Sequence, residues 1–149
     1  MKIQNLLCGA FAALFLMAVP AVAASSDLTV VIKGIKNGNG QILVCLFNRA
    51  AGFPGCGRGG AFRSFGTKAR AGALSFVLKQ LPDGDYAISA AHDQNGDNKI
   101  ERHFLFGYPT EGAGTSNYTE PPRLPPTFRK ARFRLSGGAK SIVIMMHYP

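Results

Sequence analysis

The chain lacks most of what would announce an enzyme or a nucleic-acid protein. It has no Gly-x-Ser-x-Gly elbow or other activated nucleophile, no compact ligand motif for a transition metal and no nucleic-acid signature. After the first two dozen residues no run approaches the roughly 20 apolar residues of a spanning helix, and no amphipathic helix of useful length can be drawn. Acids are scarce, 8 Asp and Glu against 17 Lys and Arg, which leaves a formal net charge of +9. Cysteine is scarce as well, 3 in 149 residues, so the fold must rest on a hydrophobic core and not on a dense disulfide framework.

What is present begins with a targeting pattern. Lys2 gives a short positive start, Leu6 to Val19 an apolar run, and Ala21-Val22-Ala23 a small-residue cleavage site. The expectation is a signal peptide over residues 1–23 and export to a periplasm or beyond the cell. Cys8 precedes most of the apolar run and follows Leu7, where a lipoprotein would need a small residue. Residues 24–149 then form one domain, of ordinary size for a single core. Two cysteines remain in it, Cys45 and Cys56, and an exported compartment lets them pair. The alternative is a buried free thiol at Cys45 and an exposed one at Cys56. A bridge would close a short loop and contribute on the order of 3 kcal/mol.

The dominant period of this domain is two, in short segments rich in β-branched and aromatic residues and punctuated by glycine and proline. Leu28, Val30 and Ile32 share one strand face, and Lys36 to Gly40 supplies a hairpin-type turn after which Gln41 to Asn48 pairs back with Ile42, Val44 and Leu46 inward. Leu74, Phe76 and Leu78 form a third alternating set, and Leu81 to Gly84 turns the chain into Tyr86, Ile88 and Ala90. Phe128 to Leu135 and Ser141 to Tyr148 read as a last strand pair. These patterns predict an all-β protein, an antiparallel two-sheet β-sandwich of six to eight strands. Two segments, Arg49 to Arg70 and His103 to Thr127, are too long for plain connections and read as loops, the places where binding residues usually sit on a rigid sandwich.

Three blocks stand in order and at close spacing: Leu81-Pro82-Asp83-Gly84-Asp85-Tyr86-Ala87, then His92-Asp93-Gln94-Asn95-Gly96-Asp97-Asn98-Lys99-Ile100-Glu101, then Gly107-Tyr108-Pro109-Thr110-Glu111-Gly112 closing on Ser116-Asn117. Together they resemble the bacterial exported family called domain of unknown function family 2141, over nearly the whole domain. The resemblance implies an immunoglobulin-like or transthyretin-like sandwich at the envelope or outside the cell, and implies no established activity. Members usually present larger, often aromatic, side chains near Ala113 and Thr115.

The middle block carries the most chemistry. Asp93, Asn95 and Asp97 alternate as the first, third and fifth ligands of a calcium loop do, with Asn98 at the sixth position and the Lys99 carbonyl at the seventh. Glu101 and Glu111 can add carboxylates. Phe104 stands where a bidentate acid would close a full site, and Lys99 and Arg102 offset the local acids. Any Ca²⁺ affinity is therefore expected to be weak, roughly 10⁻⁴ to 10⁻³ M. The same residues also suit a metal-free turn in which Asp and Asn accept bonds from their own backbone, and Glu111 suits the capping of loop amides.

His92, His103 and His147 are too scattered to support zinc. An enzymatic alternative groups His92, Asp93 and Glu111, with Ser116 nearby, in one loop cluster. Late in the chain Arg123, Arg129, Lys130, Arg132, Arg134 and Lys140 concentrate positive charge, and Lys130, Arg132 and Arg134 alternate along one strand face. Such a stripe either keeps an edge soluble or attracts anionic lipid or acidic polysaccharide. The reading as a whole is a monomeric, non-catalytic binding or accessory module of the envelope with a weak calcium loop; the alternatives are a secreted enzyme and an adhesion protein that binds anionic surfaces.

Overall fold

A computed structural model of the protein describes residues 25–56, 59–99, 110–119 and 124–149. The signal peptide expected over residues 1–23, and Glu101, His103 and Arg123, lie outside the described residues. The elements are β1 (Ser25–Ile35), β2 (Gln41–Phe47), β3 (Arg63–Lys68), β4 (Gly72–Pro82), β5 (Gly84–Asp93), β6 (Gly112–Thr115), a helical turn α1 (Phe128–Ala131), β7 (Phe133–Leu135) and β8 (Gly138–Met145). They form the expected sandwich of eight strands. One sheet has the order β4-β1-β8, the other β3-β2-β5-β6, with β7 also on β5.

The alternating residues meet between the sheets. Leu28, Val30 and Ile32 of β1, Ile42 of β2 and Ile88 of β5 are all 0% exposed, and each such side chain stabilises the fold by about 1.5–3 kcal/mol on burial. Leu74, Phe76 and Leu78 of β4 close this layer with partial burial.

Two pairings and one element differ from the sequence reading. The turn at Lys36 to Gly40 does not make a hairpin: β1 and β2 lie in different sheets, and β2 pairs with β3 and β5. Alternation fixes which face of a strand is buried but not which strand lies beside it. The last two strands do not pair with each other either. β7 runs antiparallel to β5, Tyr86 opposite Phe133, while β8 runs parallel to β1, Val30 opposite Ile142. All other strand pairings are antiparallel. Finally, Phe128 to Leu135 is not one strand. The Thr127 carbonyl accepts the N–H groups of Lys130 and Ala131, so Lys130 sits on a helical turn, and only Arg132 and Arg134 keep the alternation.

Both segments read as long loops contain a strand. β3 and β6 have the sequences RSFGTK and GAGT, too polar or too small to show a β pattern. The first loop also covers the outer face of β5. Cys45 on β2 and Cys56 form a disulfide with Cα atoms 5.7 Å apart. Phe53 stacks edge-on between Phe47 and Phe128. Beneath them β5 presents Ala87, Ser89 and Ala91, all buried, which leaves room for the covering layer. This central strand is thus buried on both faces.

Candidate functional site at one end of the sandwich

β5 delivers His92 and Asp93 to the end of the sandwich, where the turn after β1 and the loop after β5 meet. Gln41 opens β2 directly opposite Asp93. Gly40, at φ +61°, lets the chain enter β2 so close to β5 that a Cβ there would collide with the Asp93 carbonyl oxygen.

The Asp93 carboxylate is fully engaged. Oδ1 accepts the N–H groups of Gly96 and Asp97 at 2.8 and 3.2 Å; Oδ2 accepts the Asn98 N–H at 2.8 Å and the Gln41 side-chain amide at 2.9 Å. Four donors match the four lone-pair sites of a carboxylate. Burial opposes its ionisation, but the bonds from Gln41, Asn98, Gly96 and Asp97 outweigh that and hold its carboxyl below the usual range. The chain then repeats the device: Asn95 Oδ1 accepts the Asp97 N–H, and Asp97 Oδ1 accepts the Lys99 N–H. Asn98 occupies the left-handed region at φ 63°, as the sixth position of a cation loop or a tight turn requires. Glu111 accepts the Gln94 N–H through Oε1 at 2.9 Å, while its buried Oε2 has no hydrogen-bond partner among the described residues. The structure therefore brings Asp93, Asn95, Asp97, Lys99 and Glu111 into one loop cluster, tied mainly through backbone N–H groups.

His92 belongs to a different arrangement. It is 0% exposed, with Nδ1 2.7 Å from the Tyr148 hydroxyl and Nε2 2.8 Å from the Asn39 carbonyl. A carbonyl only accepts, which assigns the proton to Nε2 and makes Nδ1 the acceptor of the Tyr148 O–H in the neutral ring. The Lys36 N–H donates to the same hydroxyl at 3.0 Å. Burial raises the pKa of Tyr148, against the pull of the Lys36 N–H bond, and so favours the phenol that this chain of bonds needs. Both ring nitrogens of His92 are thus spent on the fold. Gly112 makes room for the tyrosine, since a Cβ there would strike its ring.

Ser116 is equally committed. Its hydroxyl accepts the Ile88 N–H at 2.9 Å and donates to the Ala131 carbonyl at 2.7 Å. Asn117, at φ 61°, adds donor bonds to the carbonyls of Ala131 and Arg132. The pair fastens α1 to β5. Among the described residues no group of three or more His, Cys, Asp and Glu side chains is placed to hold a metal ion.

The model of the family described as an uncharacterized protein conserved in bacteria, DUF2141, matches residues 30–143. The chain belongs to DUF2141. No curated protein and no solved structure matches it. The DUF2141 match runs from within β1 to within β8, so it takes in both sheets and the loop cluster.

Sequence reasoning missed three members of this end of the DUF2141 domain: Gln41, Asn39 and Tyr148. Each acts on a residue more than fifty positions away, and only the strand register, unknown beforehand, could have pointed to them. The basic face is also redistributed. Arg132 and Arg134 both reach Asp85, at 3.7 and 3.4 Å, through half-exposed side chains. Surface pairs of this kind contribute about 0–1 kcal/mol.

Proposed function

We propose that this DUF2141 protein is exported and acts as a non-catalytic binding or accessory module of the cell envelope, meeting anionic lipid or acidic polysaccharide through a cationic surface. The observation that carries this reading is where the charges go. Every described acid is used inside the molecule. Asp27 accepts the Gln80 N–H, Asp83 the Gly137 N–H and the Ser26 hydroxyl, Asp85 pairs with two arginines, and Asp93, Asp97 and Glu111 hold the loop cluster. The described lysines and arginines all lie on the exposed surface. The field offered to a partner is therefore positive on balance, and His92, Asp93 and Ser116 are spent on hydrogen bonds within the fold. The experiment is cosedimentation with phosphatidylglycerol vesicles and, separately, with alginate. Binding to at least one is expected, absent with phosphatidylcholine and lost as salt shortens the screening length from about 10 Å at 0.1 M to about 3 Å at 1 M. Equal behaviour on neutral and anionic surfaces would sink the reading.

A second reading, weak calcium binding by the same loop, is favoured by one atom. The buried Glu111 Oε2 lacks a hydrogen bond among the described residues, and a hard cation takes oxygens of this kind. A calcium ion bound only to the folded state raises the melting temperature, by an amount that grows with the logarithm of its concentration above the dissociation constant. Millimolar calcium added after chelation is expected to raise it in the wild type and not in Glu111→Gln. An unchanged wild-type melt removes the site.

A further inference from the structure

The two sides of the sandwich are finished differently. On one side β6 meets the end of β8 and the residues just after it: Gly114 lies against the Met145 carbonyl, and Ala113 and His147 exchange backbone hydrogen bonds at 2.9 Å. That side is sewn shut. On the other side β3 and β4 are the outermost strands of their sheets, and no described strand pairs with either along its outer edge. Phe65 and Phe76 meet in the gap between them, edge-on at 4.8 Å and partly exposed.

The backbone direction on β4 follows from its neighbours. The Lys33 carbonyl is taken by the Met146 N–H on the β8 side, so the alternate residues Val30 and Ile32 turn their backbone groups to β4 and pair with Phe76 and Leu74. The groups of Ser75 and Val77 then point outward. The Lys79 carbonyl, two residues on, does so as well and accepts the Arg63 guanidinium at 3.3 Å.

An open edge is normally blunted by charge, proline, a bulge or short length. β4 is 11 residues long, and from Gly72 to Leu78 it carries neither charge nor proline. Cations stand at the two ends of this seam, Arg63 and Lys79 at one and Lys68 and Arg70 at the other, and β3, β4 and the residues between them contain no acid. A second copy of the chain would bring like charges together there. An acidic strand would not.

We propose that the open edge of β4 is a docking site for an extended acidic peptide segment of a partner protein, which adds to the sheet as a further strand, with main-chain bonds at Ser75 and Val77, apolar contact at the Phe65–Phe76 seam and acidic side chains near the terminal cations. This mode of recognition takes affinity from the backbone and specificity from alternate side chains. It goes beyond the reading of the chain as a binder of lipid or polysaccharide and does not depend on it.

The test uses a labelled synthetic peptide of alternating valine and glutamate, long enough to span Ala73 to Val77, and measures fluorescence anisotropy together with amide hydrogen exchange. Saturable binding with added protection at Ser75 and Val77 is expected. Methylating the peptide nitrogens that face β4 is expected to weaken it at least about tenfold, the effect of losing two modest hydrogen bonds, and this arm leaves the protein unaltered. Ser75→Pro, checked for an unchanged circular dichroism spectrum, should weaken it similarly, because an outward edge N–H is one a proline can replace. The proposal is overturned if the peptide does not bind, if the methylated peptide or a lysine-for-glutamate version binds as well, if protection falls elsewhere, or if sedimentation shows that the edge is already closed by a second copy.

Discussion

Replacing Gly114 by alanine is expected to cost about 3 kcal/mol or more and to lower the melting temperature by about 10 °C. Gly114 lies on β6, opposite Ala90 of β5, at the point where the two sheets touch. A Cβ built there would collide with the Met145 carbonyl oxygen and come within 2.8 Å of Ile144 Cγ2. Neither neighbour can retreat. Met145 is held in register with Lys33 of β1, and Ile144 is 0% exposed in the core. Overpacking of a close-packed interior typically costs 1–3 kcal/mol and more where backbone must move, and each kcal/mol shifts the midpoint of a domain this size by roughly 2–8 °C. Gly38→Ala is the control, because its Cβ would meet only the Ala69 carbonyl at an ordinary 3.6 Å. Thermal and urea denaturation of the two variants checks this. A Gly114→Ala melt equal to wild type would show that the β6–β8 contact is looser than described.

Asp93→Ala is expected to destabilise by about 2 kcal/mol. It removes one acceptor group from four donors, the N–H groups of Gly96, Asp97 and Asn98 and the Gln41 amide. Each stranded donor costs about 1–3 kcal/mol when fully buried, but this loop is largely exposed, so water satisfies part of the loss. Asp93→Asn keeps one oxygen and is expected to fall between. Hydrogen exchange should show the loss confined to residues 94–99. The same carboxylate sets an acid limit. Its folded pKa lies below the ordinary value of 3.8, so the stability it contributes is complete above that value and disappears as pH falls through the folded pKa. Asp83 acts in the same direction, held down by the Gly137 N–H and the Ser26 hydroxyl. Stability should therefore decline below about pH 4, and the decline should be shallower in Asp93→Ala. Identical acid profiles would contradict the assigned role of the loop.

The sheet residues were legible because alternation is local. Leu28, Val30, Ile32, Ile42, Val44, Leu46, Tyr86, Ile88 and Ala90 all face the core as their spacing demands. The ladder was not legible, since nothing in Lys36 to Gly40 distinguishes a hairpin from a turn between sheets. β3 and β6 were hidden for a related reason. Gly112 and Gly114 in β6 make room for Tyr148 and Met145, partners more than thirty residues away, and a packing constraint of that kind leaves no periodic trace. In the loop cluster, Asp93, Asn95, Asp97 and Glu111 were visible as oxygen-bearing residues at telling intervals. What they hold depended on Gln41 and on backbone amides, which no side-chain pattern records.

The parallel pairing of β1 with β8 bears on the order of assembly. β1 is the middle strand of its sheet and needs β4 on one side and β8 on the other. A chain that emerges N-terminus first therefore leaves the outward backbone groups of Thr29, Val31 and Lys33 unpaired until β8 has arrived. Closing so long a loop before its contacts form makes folding slow and concerted. The ladder on β1 is complete only when the last strand lies beside the first.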